Sequence, residues 1–385
     1  MVFTPLAFAR KLRDLRESFG NTVDEIGNAT GIGTQALQAL EGGTAVPSGD
    51  EVLMIADFFR CEFTWLIEDD ASNPDQNISI LLRAESQRLA AEDRHAIADF
   101  LHLCKSDALL DDILGSQRPQ SKPFRFLPQG TFYKSQGIAC ANEYRAHNDL
   151  PPNAVIPDIF LWLRKAGFRL FRRSLPNSPI SGLFLRHPEA GACILINYAE
   201  DVYRQRFSAA HEAGHALMDA DKAFNVSDEN DTRSNDLREI RANTFASSFL
   251  MPPNLIASLG TPEQWQNPEK LIEVSGRLFV SIPALLSALK RDKVLDRDAR
   301  DYLRNLQLRL PDKQEPELRG NLTQRQRDRI QALLATGLHG AYVRRCFEAH
   351  RQGHFSLAKL ADMLLVELGE VDDLATLFGV SSHNG

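Results

Sequence analysis

The chain has 385 residues, 43% hydrophobic and 25% charged, the balance of an ordinary soluble globular protein with two or three cored units and not of a disordered one. It contains no run of eighteen apolar residues, and its charged N-terminus, MVFTPLAFARKLRDL, lacks a signal-peptide cleavage site, so a cytoplasmic protein with no membrane partner is expected. The net charge of −7 gives no general attraction to nucleic acid, and five scattered cysteines without C-x-x-C spacing (Cys61, Cys104, Cys140, Cys193, Cys346) indicate mostly buried thiols, not a disulfide framework or a thiolate zinc knuckle.

In residues 1–68, Leu12, Leu15, Val23, Ile26, Ile32, Leu37, Leu40, Val52, Ile55, Phe59 and Leu66 recur at helical spacing between the breaks FGNT, ATGIGT and GGTAVPSGD. The pattern predicts four or five short helices. Thr22 followed by Glu25 makes a capping box, and Thr34 is placed to cap the next helix. The stretch from LRDLRESFGNT to CEFTWLI resembles the XRE-type helix-turn-helix family through all five helices. That resemblance implies that the helix from Thr34 to Glu41 would enter the DNA major groove, where Gln35 and Gln38 are placed to read adenine edges. Charge argues against this use. Between Glu17 and Phe59 there is no Lys or Arg, and the acidic residues give that window a net −7, so nothing there neutralises phosphates. Arg10, Lys11, Arg13 and Arg16 on the first helix are the only local cations. A protein-interaction or dimerisation role is therefore favoured over specific DNA binding, which makes nucleic acid a doubtful partner and leaves a homodimer open.

Residues 69–122 read as a helical connector, with two amphipathic helices in 77–115 and a linker in SQRPQSKP. Helical stretches follow in 140–166, then strands in FRLFRR, SGLFLRH and ACILINYA. Residues 200–218 form a helix with Gly214 as its only breaker, and Ala209, Ala210, Ala213 and Ala216 suit tight packing. A polar, acidic loop from Asp219 to Asn235 leads to the helix DLREIRANTFASSFLMPP, stopped by two prolines. Residues 268–290 give a further helix-turn-helix pair. The rest is helical, with a break at 314–321 and an excess of cations, fifteen Lys and Arg against nine Asp and Glu in 289–351. This basic stretch is the better electrostatic candidate for any nucleic-acid contact.

SAAHEAGHALMD, residues 208–219, sets His211 and His215 one turn apart on one helix face, where both imidazoles reach the same tetrahedral ion. Glu212 lies about 100° round the helix, near enough to a metal-bound water to take its proton without being a ligand. Zinc lowers the pKa of such a water to about 7, which readies it to attack a carbonyl. A catalytic site keeps three protein ligands and leaves the fourth position to water. Glu239, with Ala242 and Ala246 on its helix face, is favoured as the third ligand. Asp221 sits where H-E-x-x-H-x-x-G-x-x-H/D places its ligand, but Met218 stands where that pattern wants glycine; Glu229 and Asp231 stand further behind. His187 and His339 lack a second ligand four residues on with suitable carboxylates, and His350 and His354, though four apart, have Gly353 between them, which weakens a helical reading.

The run INYAEDVYRQRFSAAHEAGHALMD, followed by EIRANTFASSFLMP, resembles the ImmA/IrrE-type zinc metallopeptidases, over roughly residues 125–290. The resemblance implies that His211, His215 and Glu239 bind one zinc ion per chain and that Glu212 is the general base. Members of that family cleave a partner repressor in stress or mobile-element control, so the implied partner is a helix-turn-helix repressor protein. The alternative is a DNA-binding transcriptional regulator that uses the metallopeptidase fold as a sensor or scaffold. The expected fold class is α+β and predominantly helical: an XRE-like five-helix domain (1–68), a connector (69–122), a zincin-like metallopeptidase domain with a small sheet (123–290) and a helical C-terminal region (291–385). A substrate peptide is expected to pair along the strand in ACILINYA.

Overall fold

The computed structural model describes residues 3–69, 73, 75–85, 89–115, 124–219, 222–228, 236–306, 313–318 and 320–380. These residues divide into two compact units, Met1–Leu103 and Cys104–Gly385. The linker at 116–123 and the weighed ligands Asp221, Glu229 and Asp231 lie outside the described residues. Among the described residues nineteen α-helices and one four-stranded sheet make the fold α+β and mainly helical.

The first unit holds α1 (Pro5–Phe19), α2 (Val23–Thr30), α3 (Thr34–Glu41), α4 (Gly49–Phe59), α5 (Phe63–Ile67), α6 (Gln76–Ala84) and the start of α7 (Ala91–Leu114). Each of the apolar positions at helical spacing is buried except Val23, which is half-buried. Thr22 and Glu25 form the expected capping box, and Ser48 with Glu51 forms another. Thr34 does not cap α3: Gly33 holds the cap position and the Thr34 hydroxyl donates instead to Asp24 Oδ1 at 2.9 Å. Of the four cations of α1, Arg10 and Arg13 are exposed, Arg16 is half-buried and Lys11 is buried. Lys11 donates to the carbonyls of Trp65 (2.6 Å) and Glu68, while Arg13 donates to the Glu41 carbonyl (2.8 Å) and Arg16 pairs with the Glu41 carboxylate (2.6 Å).

The second unit continues with α8 (Tyr133–His147), α9 (Ile159–Lys165), β1 (Arg169–Arg173), β2 (Ile180–His187), β3 (Gly191–Asn197), α10 (Val202–Met218), β4 (Phe224–Asp228), α11 (Leu237–Leu250) and α12 (Pro253–Leu259). It ends with α13 (Pro268–Leu278), α14 (Ile282–Arg291), α15 (Arg297–Asn305), α16 (Gln324–Ala335), α17 (Gly340–Arg351), α18 (Leu357–Met363) and α19 (Val371–Phe378). The sheet order is β1-β3-β2-β4, with β1 parallel to β3 and the other pairs antiparallel. β3 is therefore a central strand, bonded on both sides, and has no edge along which a peptide could pair; the expectation for ACILINYA fails because strand order is set by packing and not by local sequence. β4 is an edge strand, and it forms inside what the sequence suggested was a loop.

Both sheet faces are covered, as near-continuous apolar strands require. Leu170, Phe184, Ile194 and Ile196 join Ala209, Ala210 and Ala213 of α10 and Phe245 and Phe249 of α11 in the main core. Phe171 faces the C-terminal helices, with its ring 5.4 Å from that of Tyr342 and 5.3 Å from that of His339. The C-terminal region also closes on β1 through charge: the buried Arg172 is paired with Glu315 (2.8 Å) and Glu317, and Arg164 with Glu317 (2.6 Å). Among the described residues no single helix is long and apolar enough to cross a membrane.

Candidate metal centre

Asp201 caps α10 by accepting from the Tyr203 amide at 2.9 Å, and Asp236 caps α11 by accepting from the Arg238 amide at 2.9 Å. The two helices then run against each other, and the absence of a side chain at Gly214 is what permits the fit: a Cβ there would stand 2.9 Å from Phe245 Cδ1. This crossing carries the site. One helix turn brings His211 and His215 onto one face of α10, and the first turn of α11 brings Glu239 to meet them.

The three residues form a tight triangle. His211 Nε2 lies 3.0 Å from His215 Nε2 and 3.1 Å from Glu239 Oε2, and His215 Nε2 lies 3.2 Å from Glu239 Oε1. Donors bound at ~2.0–2.1 Å to a tetrahedral ion stand ~3.3 Å apart, so the triangle has the size of three corners of such a site. The imidazole tautomers point the same way. His211 Nδ1 faces Asn243 Oδ1 at 3.0 Å and His215 Nδ1 faces Asp219 Oδ2 at 2.6 Å, so each ring carries its proton on Nδ1 and turns the Nε2 lone pair inward. With both imidazoles neutral, two nitrogen lone pairs and a carboxylate converge, which is unfavourable unless a proton or a metal cation lies among them.

The electrostatics agree. Burial pulls the His215 imidazolium down, but hydrogen bonds to Asp219 and Glu239 and the nearby Glu212 outweigh it and raise the group to about 10, a proton serving as the missing positive charge. Burial pushes the Glu239 carboxyl up, and the two imidazoles more than reverse this, holding it well below the usual carboxylate range. Glu212 is fully buried, which pushes its carboxyl up against the opposing pull of His211 and His215. Neither of its oxygens makes a well-formed hydrogen bond among the described residues, and the Ser227 side chain of β4 is the polar group near enough to pull the carboxyl down.

Several groups behind the triangle were not singled out in the sequence. Asp219 ends α10 and links His215 to the buried Arg241 of α11, which also donates to Gln136 Oε1 of α8 at 3.1 Å. Asn243, one turn after Glu239, orients His211, and Asn225 Nδ2 of β4 reaches Glu239 Oε1 at 3.4 Å. Spacing held a signal for two of them: Asp219 and Asn243 each stand four residues beyond a triangle member, on the same helix face. The other histidines have structural partners. His187 Nδ1 accepts from the Ala190 amide (3.1 Å), His339 Nδ1 caps α17 by accepting from the Tyr342 amide (3.2 Å), and His350 Nδ1 meets the Phe355 carbonyl (2.8 Å). Cys140 and Cys193 are buried and stand outside the cluster. Gln35 and Gln38 are both exposed on α3, in the first unit.

Comparison with known proteins fits this geometry. Residues 163–272 match the profile of the M78 peptidases, described as an IrrE N-terminal-like domain, and residues 12–66 match a helix-turn-helix profile. A stretch of 76 residues, 20% of the chain, is 30% identical to the cryptic phage CTXphi transcriptional repressor RstR of Vibrio cholerae and covers 68% of that repressor.

Proposed function

Because this chain belongs to the family that joins an XRE-type helix-turn-helix domain to an IrrE/ImmA-like M78 peptidase domain, we propose that it is a cytoplasmic zinc endopeptidase acting on a partner helix-turn-helix repressor. The setting would be a stress response or the control of a mobile element or defence system. One observation carries the reading. His211, His215 and Glu239 converge at 3.0–3.2 Å, and among the described residues the cluster has three members, not four, beside a carboxylate with no well-formed hydrogen bond of its own. Three ligands with an open fourth position mark a catalytic zinc site, whereas a structural one is closed by four.

Zinc, when bound, supplies Lewis acidity at a substrate carbonyl and acidifies water. The chain's own residues do the rest. Asp219 and Asn243 fix the tautomers of His215 and His211 so that both Nε2 atoms face inward. Glu212 accepts the proton of the attacking water and returns it to the departing amine. Its burial raises its proton affinity, which suits a base that must also act as an acid. An extended substrate would pair with the edge strand β4, which takes the place proposed for the central strand β3.

The transcriptional-regulator reading has the repressor relative in its favour. Against it, the acidic recognition region has its nearest cations, Lys11, Arg13 and Arg16, turned to carbonyls and to Glu41. The deciding experiment is Glu212→Gln in the full chain, co-expressed with helix-turn-helix repressors from its own genome. One zinc per chain should remain and a repressor fragment made by the wild type should vanish. If the variant still produces the fragment, the proposed role of Glu212 is wrong.

A further inference from the structure

Strand β2 is buried at every position but Arg186, and apart from Ser181 its interior up to Leu185 is apolar except for one glycine, Gly182. Alanine normally serves a strand interior better than glycine, so a glycine there marks a place where something comes close. Gly182 pairs with Ile196 of β3 and Ser227 of β4, directly after an irregularity in the β2–β4 register between Ile180 and Gly182. Such bulges re-aim a strand, and they collect next to active sites. What comes close is Glu212. A Cβ on Gly182 would stand 2.9 Å from both Cγ and Oε1 of Glu212, closer than real Cβ contacts come, and 3.3 Å from its Cδ, which is tight.

Rotation of the carboxylate alone would not relieve this. Oε1 can swing aside, but Cγ is one bond from the helix-borne Cβ, so relief needs a new χ1 or a shift of α10. Both are opposed: Glu212 is fully buried, and α10 is held against α11 by the packing of Gly214 on Phe245, by the bond of His211 to Asn243 and by the pairing of its cap residue Asp219 with Arg241. We infer that Gly182 is a positioning residue, whose missing side chain provides the space in which the Glu212 carboxylate lies beside the His211, His215 and Glu239 triangle. This rests on the reading of Glu212 as the base; the steric coupling itself does not.

The test is Gly182→Ala in the full chain, made in the wild-type and the Glu212→Ala backgrounds and followed by thermal melting with and without one equivalent of zinc chloride. In the wild-type background the melting temperature should fall by roughly 2–6 °C. In the Glu212→Ala background it should hold or rise, since the added methyl group then fills vacated space. Equal losses in both backgrounds would overturn the inference, because the strand itself would then require glycine. On the repressor cleaved by the wild type, Gly182→Ala should lower kcat by about 10–100-fold with KM little changed. Gly182→Ala/Glu212→Asp, with a carboxylate one methylene shorter, should lose less than the product of the two single losses; a full product would also count against the inference. If the wild type cleaves nothing, the peptidase reading fails, and the melting arm still decides whether Gly182 and Glu212 are coupled.

Discussion

Asp219 offers the sharpest test of how the centre is held. Its Oδ2 lies 2.6 Å from His215 Nδ1, its Oδ1 takes the Arg241 guanidinium, and both side chains are buried. Asp219→Ala would leave Arg241 with uncharged neighbours, Gln136 Oε1 at 3.1 Å, the Met218 carbonyl at 3.4 Å and the Tyr133 ring at 5.2 Å. Removing one partner of a buried ion pair costs about 3–5 kcal/mol, and at roughly 2–4 °C per kcal/mol for a unit of this size the melting temperature should fall by about 6–20 °C. Zinc affinity should fall by about 10–100-fold, because His215 loses the acceptor that fixes its tautomer. Asp219→Asn keeps an acceptor for Nδ1 and should lose less affinity than the alanine variant. Asp219→Ala/Arg241→Met removes the stranded charge and should regain stability without regaining affinity. Scanning calorimetry and competition against a chromophoric chelator measure the two quantities separately. A melting temperature within about 3 °C of wild type and an unchanged zinc affinity would refute the argument, since Asp219 would then neither hold His215 nor neutralise Arg241.

Three further outcomes are expected. Stripping the metal with a chelator should destabilise the second unit, by about 4 kcal/mol relative to protein in zinc at a thousandfold excess over Kd, and readdition should restore the melting temperature; a melting curve indifferent to zinc would mean the triangle holds no ion. Glu315→Ala/Glu317→Ala should strand Arg172 and Arg164 and lower stability by about 3–5 kcal/mol in chemical denaturation; a loss below about 1 kcal/mol would show that the C-terminal segment is not part of the fold of this unit. The full chain should bind duplex DNA no more tightly than about 0.1 mM at physiological salt, with little salt dependence; a log–log salt slope of about −4 or steeper would show phosphate neutralisation and return DNA recognition to the first unit or to the basic stretch 289–351.

How far the sequence went depended on the range of the interaction. His211 and His215 were legible because one helical period places them together, and the first five helices because their apolar positions repeat over a few residues. Glu239 needed more, a second helix with small residues, and a motif that resembles a family. Asp219 was in view as the residue after the helix but read as the start of a loop, because its partner Arg241 lies 22 positions on. β4 was missed since five residues within an acidic stretch give too little alternation to stand out. Glu315 and Glu317 looked like a break for the same reason in reverse: the buried Arg172 that needs them is more than 140 residues away. Gly182 gave a local signal, a glycine in an apolar strand, whose cause across the sheet was not local.

The pattern of unmet needs in the second unit points to where its function lies. Elsewhere the unit's buried charges are bonded through most of their polar atoms, though among the described residues single atoms such as Arg145 Nε and Arg172 Nε go without. Arg206 donates to the carbonyls of Phe279, Pro157 and Ile156 at 2.6–3.1 Å, and Arg145 to those of Phe249, Pro151 and Ala154 at 2.7 Å. At one place it does the opposite. Among the described residues Glu212 is the carboxylate with both buried oxygens lacking a well-formed hydrogen bond, three metal-ligating atoms converge beside it, and glycine replaces a better strand former across from it. Each of these lowers stability, and chance would scatter them. Their meeting within one helix crossing and one strand is what a site built to hold a cation and a substrate predicts, because these two groups would satisfy the donors and the base at once.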